Sequence, residues 1–343
     1  MKSHPTSSTF TFSSLRTLAG RAGLDWFLLA LLSMIGLAYL CPTPGVQEGP
    51  FSLSSLANYG VSVIFFFYGL KLNFEKLKAG LSNWKLHAVV HLFTFVVFPI
   101  IVLSTKGLFQ TDESALLWLG TFYVAALPST VSSSVVMVSI AGGNMPAAIF
   151  NASISSLIGV FITPVWMGFV LTTESGQYDL AGVIGKLALQ VIAPVVLGLL
   201  LNRRLSGFAK WTQKYLTHFD RIVILMIVYT SFCESFERRM FQSLTGPDLL
   251  VLGGLMLGLF FLVYGLISVV CRLLGFSRED RITALFCGSK KSLVQGSVMA
   301  NVLFPANVVG IVLLPIMMYH ALQLIAASVL AQAIARRNSA ITE

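Results

Sequence analysis

Phe286-Cys287-Gly288-Ser289-Lys290-Lys291-Ser292-Leu293 is the stretch that decides the reading of this chain, because it sets two adjacent lysines inside a long apolar segment. A Lys at the centre of a membrane helix costs about 2.5–3.5 kcal/mol on insertion scales, and such residues face a bundle interior or mark a transport path. The surrounding composition is that of a membrane protein. Of 343 residues, 56% are hydrophobic and 11% charged, against about 25% charged in soluble domains. The mean hydropathy is +0.82. A net charge of +9 on a soluble protein would suggest nucleic acid. Here the basic residues fall in short loops between apolar runs and read as topology signals, so no nucleic-acid partner is expected. The expected surroundings are the lipid bilayer.

Outward from that stretch, apolar runs lie near 25–41, 57–72, 83–104, 115–141, 145–173, 182–202, 219–236, 248–274, 280–304 and 307–334. A spanning helix needs roughly 20 mostly apolar residues, roughly 17 at the short end. The pattern predicts an all-α polytopic membrane protein of ten transmembrane helices. The first run lacks the small-residue cleavage site of a signal peptide and reads as a retained span. With the N-terminus inside, loop residues such as Lys76, Lys78, Arg203, Arg204, Lys210, Lys214, Arg278, Arg336 and Arg337 are cytoplasmic, and Lys106, Lys186, Arg238 and Arg239 are outside. The positive-inside rule then gives a multi-pass protein of the cell inner membrane with both termini cytoplasmic. Residues 1–24 form an N-terminal tail and 335–343 a C-terminal tail. The scattered Cys41, Cys233, Cys271 and Cys287 show no disulfide or zinc spacing.

Ten spans divide into a first five-helix repeat, 25–173, and a second, 182–334. An odd number per half forces the halves into opposite orientations. The fourth span of each carries its most polar core: Pro128-Ser129-Thr130-Val131-Ser132-Ser133-Ser134 in the first, Gly288 to Ser292 in the second. Ser133 and Lys291 stand at matching positions. Interruptions at corresponding places of two inverted halves point to a midplane substrate site. Pro128 removes a helix hydrogen bond and disfavours helix at Leu127; the packing reading is a proline kink whose serines serve helix contacts. Gly288 frees the backbone to leave helical geometry. Adjacent lysines on an intact helix point about 100° apart, so either the helix is interrupted or one lysine snorkels.

The candidate binding residues are therefore Thr130, Ser132, Ser133, Ser134, Ser289, Lys290, Lys291 and Ser292. Asn151 and Ser155, about one turn apart on the fifth span, join them, with helix–helix bonding as the packing reading. Thr94, Gln295 and His320 are weaker candidates. His87 and His91 have ligand-like spacing without an evident acidic or thiol partner and read as packing residues. No carboxylate lies deep in a span; Asp25, Glu234 and Glu237 sit at span ends. No P-loop, HExxH or GxSxG pattern occurs, so no ATPase or hydrolase is expected, nor any organic cofactor. An ammonium offers only donors, whereas sodium needs oxygen ligands. The lysine pair thus argues for attraction of an anion, or for a lysine standing in for a coupling cation.

Gly69-Leu70-Lys71-Leu72, the Pro128–Ser134 run with Gly143-Asn144, and Cys287 to Leu293 resemble the bile acid:sodium symporter family. The likeness is greatest to its divergent YfeH-type branch of sodium-dependent transporters, which includes the seventh member of solute carrier family 10. It covers about 25–335. The resemblance implies a core domain (helices near 83–173 and 248–334) and a panel domain (near 25–41, 57–72, 182–202 and 219–236). It also implies broken fourth and ninth helices that cross beside sodium and an organic anion. Ser133 and Ser134 occupy the places of two sodium ligands, so sodium is implied there. The chain departs elsewhere. Thr94 stands where sodium-coupled members place Gln, Ala148 and Ala152 replace two hydroxyl ligands, and the sodium-binding Glu and Gln of the ninth helix become Phe286 and Lys290.

The expectation is a secondary transporter, not an enzyme, moving a small or amphipathic organic anion by alternating access without sodium, one lysine replacing that ion; a proton is the other candidate coupling ion. The alternatives are a true sodium:organic-anion symporter with a rearranged site, in which Asn151 and Ser155 supply oxygens, and a non-transporting membrane regulator of calcium homeostasis.

Overall fold

The computed structural model describes residues 26–70, 83–108, 112–174, 185, 188–239 and 245–342. The N-terminal tail 1–24 and the loop residues Lys71, Leu72, Lys76, Lys78 and Lys186 lie outside these. Among the described residues the chain is helical, with no strand. In order the helices are α1 (Trp26–Leu40), α2 (Thr43–Val46), α3 (Leu53–Leu70), α4 (Trp84–Leu92), a π turn (Phe93–Val97), α5 (Phe98–Leu103), a 3-10 turn (Lys106–Leu108), α6 (Asp112–Ala126), α7 (Ser132–Ala141) and α8 (Met145–Glu174). Then come a second π turn (Ala188–Ile192), α9 (Ala193–Trp211), α10 (Gln213–Glu237), α11 (Gly246–Leu273), α12 (Arg278–Gly288), α13 (Leu293–Leu303) and α14 (Ala306–Thr342).

Among the described residues, five helical stretches are long and apolar enough to cross a membrane: Leu53–Leu70, Trp84–Leu103, Met145–Leu171, Gly246–Leu273 and Ala306–Arg337. Shorter apolar helices cover Leu29–Leu40, Ser114–Ala126 and Leu189–Asn202. Helix ends depart from the apolar runs where polar sequence contains no breaker. The last helix does not stop at 334 but continues through Arg336 and Arg337 to Thr342. α9 likewise runs past Asn202 to Trp211, and α10 begins at Gln213.

The runs 115–141 and 280–304 are each two helices. α6 ends at Ala126, one residue before the Leu127-Pro128 pair that cannot continue it. α7 begins at Ser132 and closes on Gly142, whose φ of 74° is the left-handed C-cap that suits glycine. In the second run α12 ends at Gly288, and α13 starts after Ser292, whose side chain accepts from the Gln295 N–H at 3.3 Å.

Hydrophobic exclusion from water does not drive helix pairing in lipid, so close packing and polar bonds must. α3 and α9 cross at Gly69 and Gly198. A side chain on Gly69 would run into the Val195 carbonyl, and one on Gly198 into the Phe66 carbonyl. α14 packs against α6, α7, α10, α11 and α13, while α12 packs against α4, α7, α8 and α11. Both interruptions are thus enclosed by other helices.

Candidate functional site

The site begins with backbone groups that the two prolines set free. In the π turn, the Phe98 N–H bonds the Phe93 carbonyl instead of that of Thr94. One residue on, Pro99 has no N–H to offer. The Thr94 carbonyl therefore lacks a helical donor, and the neighbouring Phe95 carbonyl takes the Trp166 indole N–H at 2.8 Å. At the end of α6, Pro128 leaves further carbonyls open. That of Ala126 accepts from Thr163 Oγ1 at 2.8 Å, and that of Pro128 from the Ser292 N–H at 2.9 Å. The latter bond joins the two interruptions directly.

Lys291 fills what remains. Its ammonium donates to the carbonyls of Thr94 at 2.7 Å, Ala125 at 2.6 Å and Leu127 at 2.8 Å. It also lies 4.2 Å from the centre of the Phe98 ring. All three ammonium protons have an acceptor. The Ala125 and Leu127 carbonyls stand at the C-terminal end of α6, where the helix dipole favours a cation. The backbone of Lys291 is held from α14: its N–H donates to Gln323 Oε1 at 2.8 Å, and its carbonyl accepts from Gln323 Nε2 at 2.8 Å. Tyr319 Oη donates to the Ser289 carbonyl at 2.7 Å.

Lys290 is placed differently. Its ammonium is fully buried and donates to Ser133 Oγ at 2.8 Å. Ser133 donates to Thr130 Oγ1 at 2.9 Å, and Thr130 exchanges a 2.7 Å bond with Ser134. Lys290 thus ends on a hydroxyl chain at the start of α7. Among the described residues, neither lysine has a carboxylate partner.

The structure therefore brings together Thr130, Ser133, Ser134 and Lys290, and, separately, Thr94 and Lys291. Ser289 and Ser292 serve the break itself: Ser289 Oγ donates to the Leu285 carbonyl at 2.6 Å, and Ser292 caps α13. Ser155 Oγ accepts the Ser129 N–H at 2.9 Å, a backbone role at the first break. Gln295 Nε2 donates to the Ser156 carbonyl at 3.0 Å. Asn151 is apart, facing His87 Nδ1 at 3.0 Å and donating to the Ala147 carbonyl at 2.9 Å. His320 Nδ1 sits 3.2 Å from Gln323 Nε2. The side chain of Ser132 lies outside the described residues. The offset between the halves paired Ser133 with Lys291, but the lysine that reaches Ser133 is Lys290. The candidate residues did not include Tyr319, Phe98 or Gln323, which the geometry brings to the site; Pro99 was the signal for the freed Thr94 carbonyl.

Among the described residues, an apolar helical bundle with two helix interruptions and two buried lysines has the make-up of a multi-pass membrane protein, and its family makes it a transporter. The chain belongs to the SBF-like CPA transporter family (DUF4137), whose sequence profile matches residues 25–336. It is 38% identical to the uncharacterized protein PA2026 of Pseudomonas aeruginosa, over 92% of this chain and 94% of that one. It is 36% identical to YfeH of Escherichia coli K12, provisionally named a symporter, over 92% and 94%. It is 32% identical to sodium/bile acid cotransporter 7 of Danio rerio, over 91% and 94%.

Proposed function

We propose that this transporter moves a small or amphipathic organic anion by alternating access, with Lys290 as the charge that receives the anion and without sodium as coupling ion. The observation that carries the reading is the Lys290 ammonium: buried, bonded to the Ser133 hydroxyl, and lacking a carboxylate among the described residues. A buried charge of this kind is costly unless paired, and a carboxylate or sulfonate of the solute supplies the missing pair. The Thr130–Ser133–Ser134 hydroxyls add orienting bonds, and the site sits where α6, α7, α12 and α13 break. The wider frame is ten helices in an inverted five-plus-five repeat, with a core of helices near 83–173 and 248–334 rocking against a panel of the rest. The protein lies in the cell inner membrane with both termini cytoplasmic.

Sodium needs oxygen ligands, and Lys290 and Lys291 bring ammonium donors to the positions where a cation would be held. Uptake of organic anions into proteoliposomes tests this. Uptake persists when sodium is replaced by choline and falls at least about tenfold in Lys290→Met, the loss of one charge-assisted bond of about 1.5–3 kcal/mol. Strict sodium dependence of the wild type would overturn it.

One observation favours a second reading. The Danio rerio relative's name joins sodium to bile acid, and Ser133 and Ser134 place two hydroxyl oxygens next to Thr130. Sodium would then be held at those serines. A saturable rise in melting temperature with sodium, lost in Ser133→Ala, selects that reading; its absence selects the first.

A further inference from the structure

We infer that the pocket around Lys291 Nζ is a monovalent-cation site whose occupant is the protein's own side chain, so that removing the side chain opens the site to a free cation.

The lining of the pocket carries the inference. Its oxygens are backbone carbonyls of Thr94, Ala125 and Leu127, from two separate parts of the chain, all within 2.6–2.8 Å of one nitrogen. The Phe98 ring covers a further side with its electron-rich face. Carbonyl rings of this type replace the hydration shell of an alkali cation in selectivity filters. No carboxylate contributes, so the pocket carries no formal negative charge. That disfavours divalent ions, whose sites are built from carboxylates as well as carbonyls. The end of α6 adds the negative pole of its dipole.

The oxygens are not there because Lys291 attracts them. Pro99 and the π turn free the Thr94 carbonyl, and the end of α6 before Pro128 leaves those of Ala125 and Leu127 without helical donors, the Ser129 N–H going to Ser155 Oγ instead. They would remain in place, unpaired and buried, without the lysine. Buried carbonyls without donors are costly in a membrane interior, which gives a free cation a reason to enter. Truncation of Lys291 to alanine removes the propyl chain and its ammonium. The missing fragment is n-propylammonium, which supplies both the three donors and the filling of the channel. Potassium, close in size to an ammonium, supplies the charge alone.

The inference is independent of the solute carried and fails separately from the transport reading, because its readout is the melting of purified protein. Lys291→Ala should lower the apparent Tm by roughly 5–10 °C. n-Propylammonium chloride should restore at least about half of that loss with saturation, and potassium chloride less. Tetramethylammonium chloride at equal ionic strength, which has no N–H, should restore none. The wild type should not respond to any of these salts. Lys291→Gln, whose amide offers two donors, should melt between wild type and Lys291→Ala and stay unresponsive. Should Lys291→Ala be recovered from membranes only when n-propylammonium is present during solubilisation, the site is equally supported. Equal effects of n-propylammonium and tetramethylammonium, no recovery with either, or loss of the protein under both conditions would overturn it.

Discussion

Lys290 and Lys291 are neighbours in sequence and equally buried, yet their ammonium groups meet opposite surroundings. Lys291 reaches three carbonyls and an aromatic face, so every proton is used. Lys290 reaches one hydroxyl at the head of α7. The helix interruption makes the divergence possible: Gln323 holds the non-helical Lys291 backbone between α12 and α13, freeing the two side chains from the fixed angle of a helix. Among the described residues Lys290 makes one ammonium hydrogen bond and, on the proposed reading, offers its remaining protons to the solute, whereas Lys291 is consumed by the fold. Burial alone would have assigned them the same role, so the partners have to be counted.

Substitutions separate the two. Lys291→Met should do the most damage, because an apolar chain fills the pocket and leaves three carbonyls unpaired at about 1–3 kcal/mol each. An apparent Tm lower by roughly 10 °C is expected in thermal unfolding. A melt like that of the wild type would mean that the cage contributes nothing. Gln323→Leu should come next, since it removes both bonds to the Lys291 backbone at about 0.5–1.5 kcal/mol each. Its signature is a smaller Tm loss together with faster protease cleavage near the second break. Ser155→Ala deprives the Ser129 N–H of its acceptor and should cost about 1–2 kcal/mol, read in the same melts. Lys290→Met should have the smallest effect on stability, within about 1 kcal/mol and of either sign, because replacing an incompletely paired buried charge by an apolar chain is often neutral or stabilising.

The sequence carried part of this and hid the rest for a physical reason. Pro128 and Gly288 mark where helices cannot continue, and the breaks fall beside them. The lysines announce themselves by cost. The acceptors around Lys291, however, are main-chain oxygens, which every residue has, so no residue type betrays them. Pro99 alone hinted at a freed carbonyl, and the π turn that assigns it to Thr94 depends on how the Phe98 N–H is satisfied in three dimensions. The matched offset between halves related Ser133 to Lys291 as counterparts, which is a statement of symmetry and not of contact. Asn151 shares a helix with Ser155 but sits one turn away, and there His87 from α4 takes its side chain. Polarity placed it in a site that geometry does not give it.

The division of labour between the lysines is tested most directly by ligand-dependent melting of purified protein in sodium-free choline buffer, with a conjugated bile salt and an aryl sulfonate as probes. Wild type should gain stability saturably with at least one of them. Lys290→Met should melt like the wild type without ligand and show no gain with it. A gain that persists in Lys290→Met, or that appears only when sodium is added, would contradict the account.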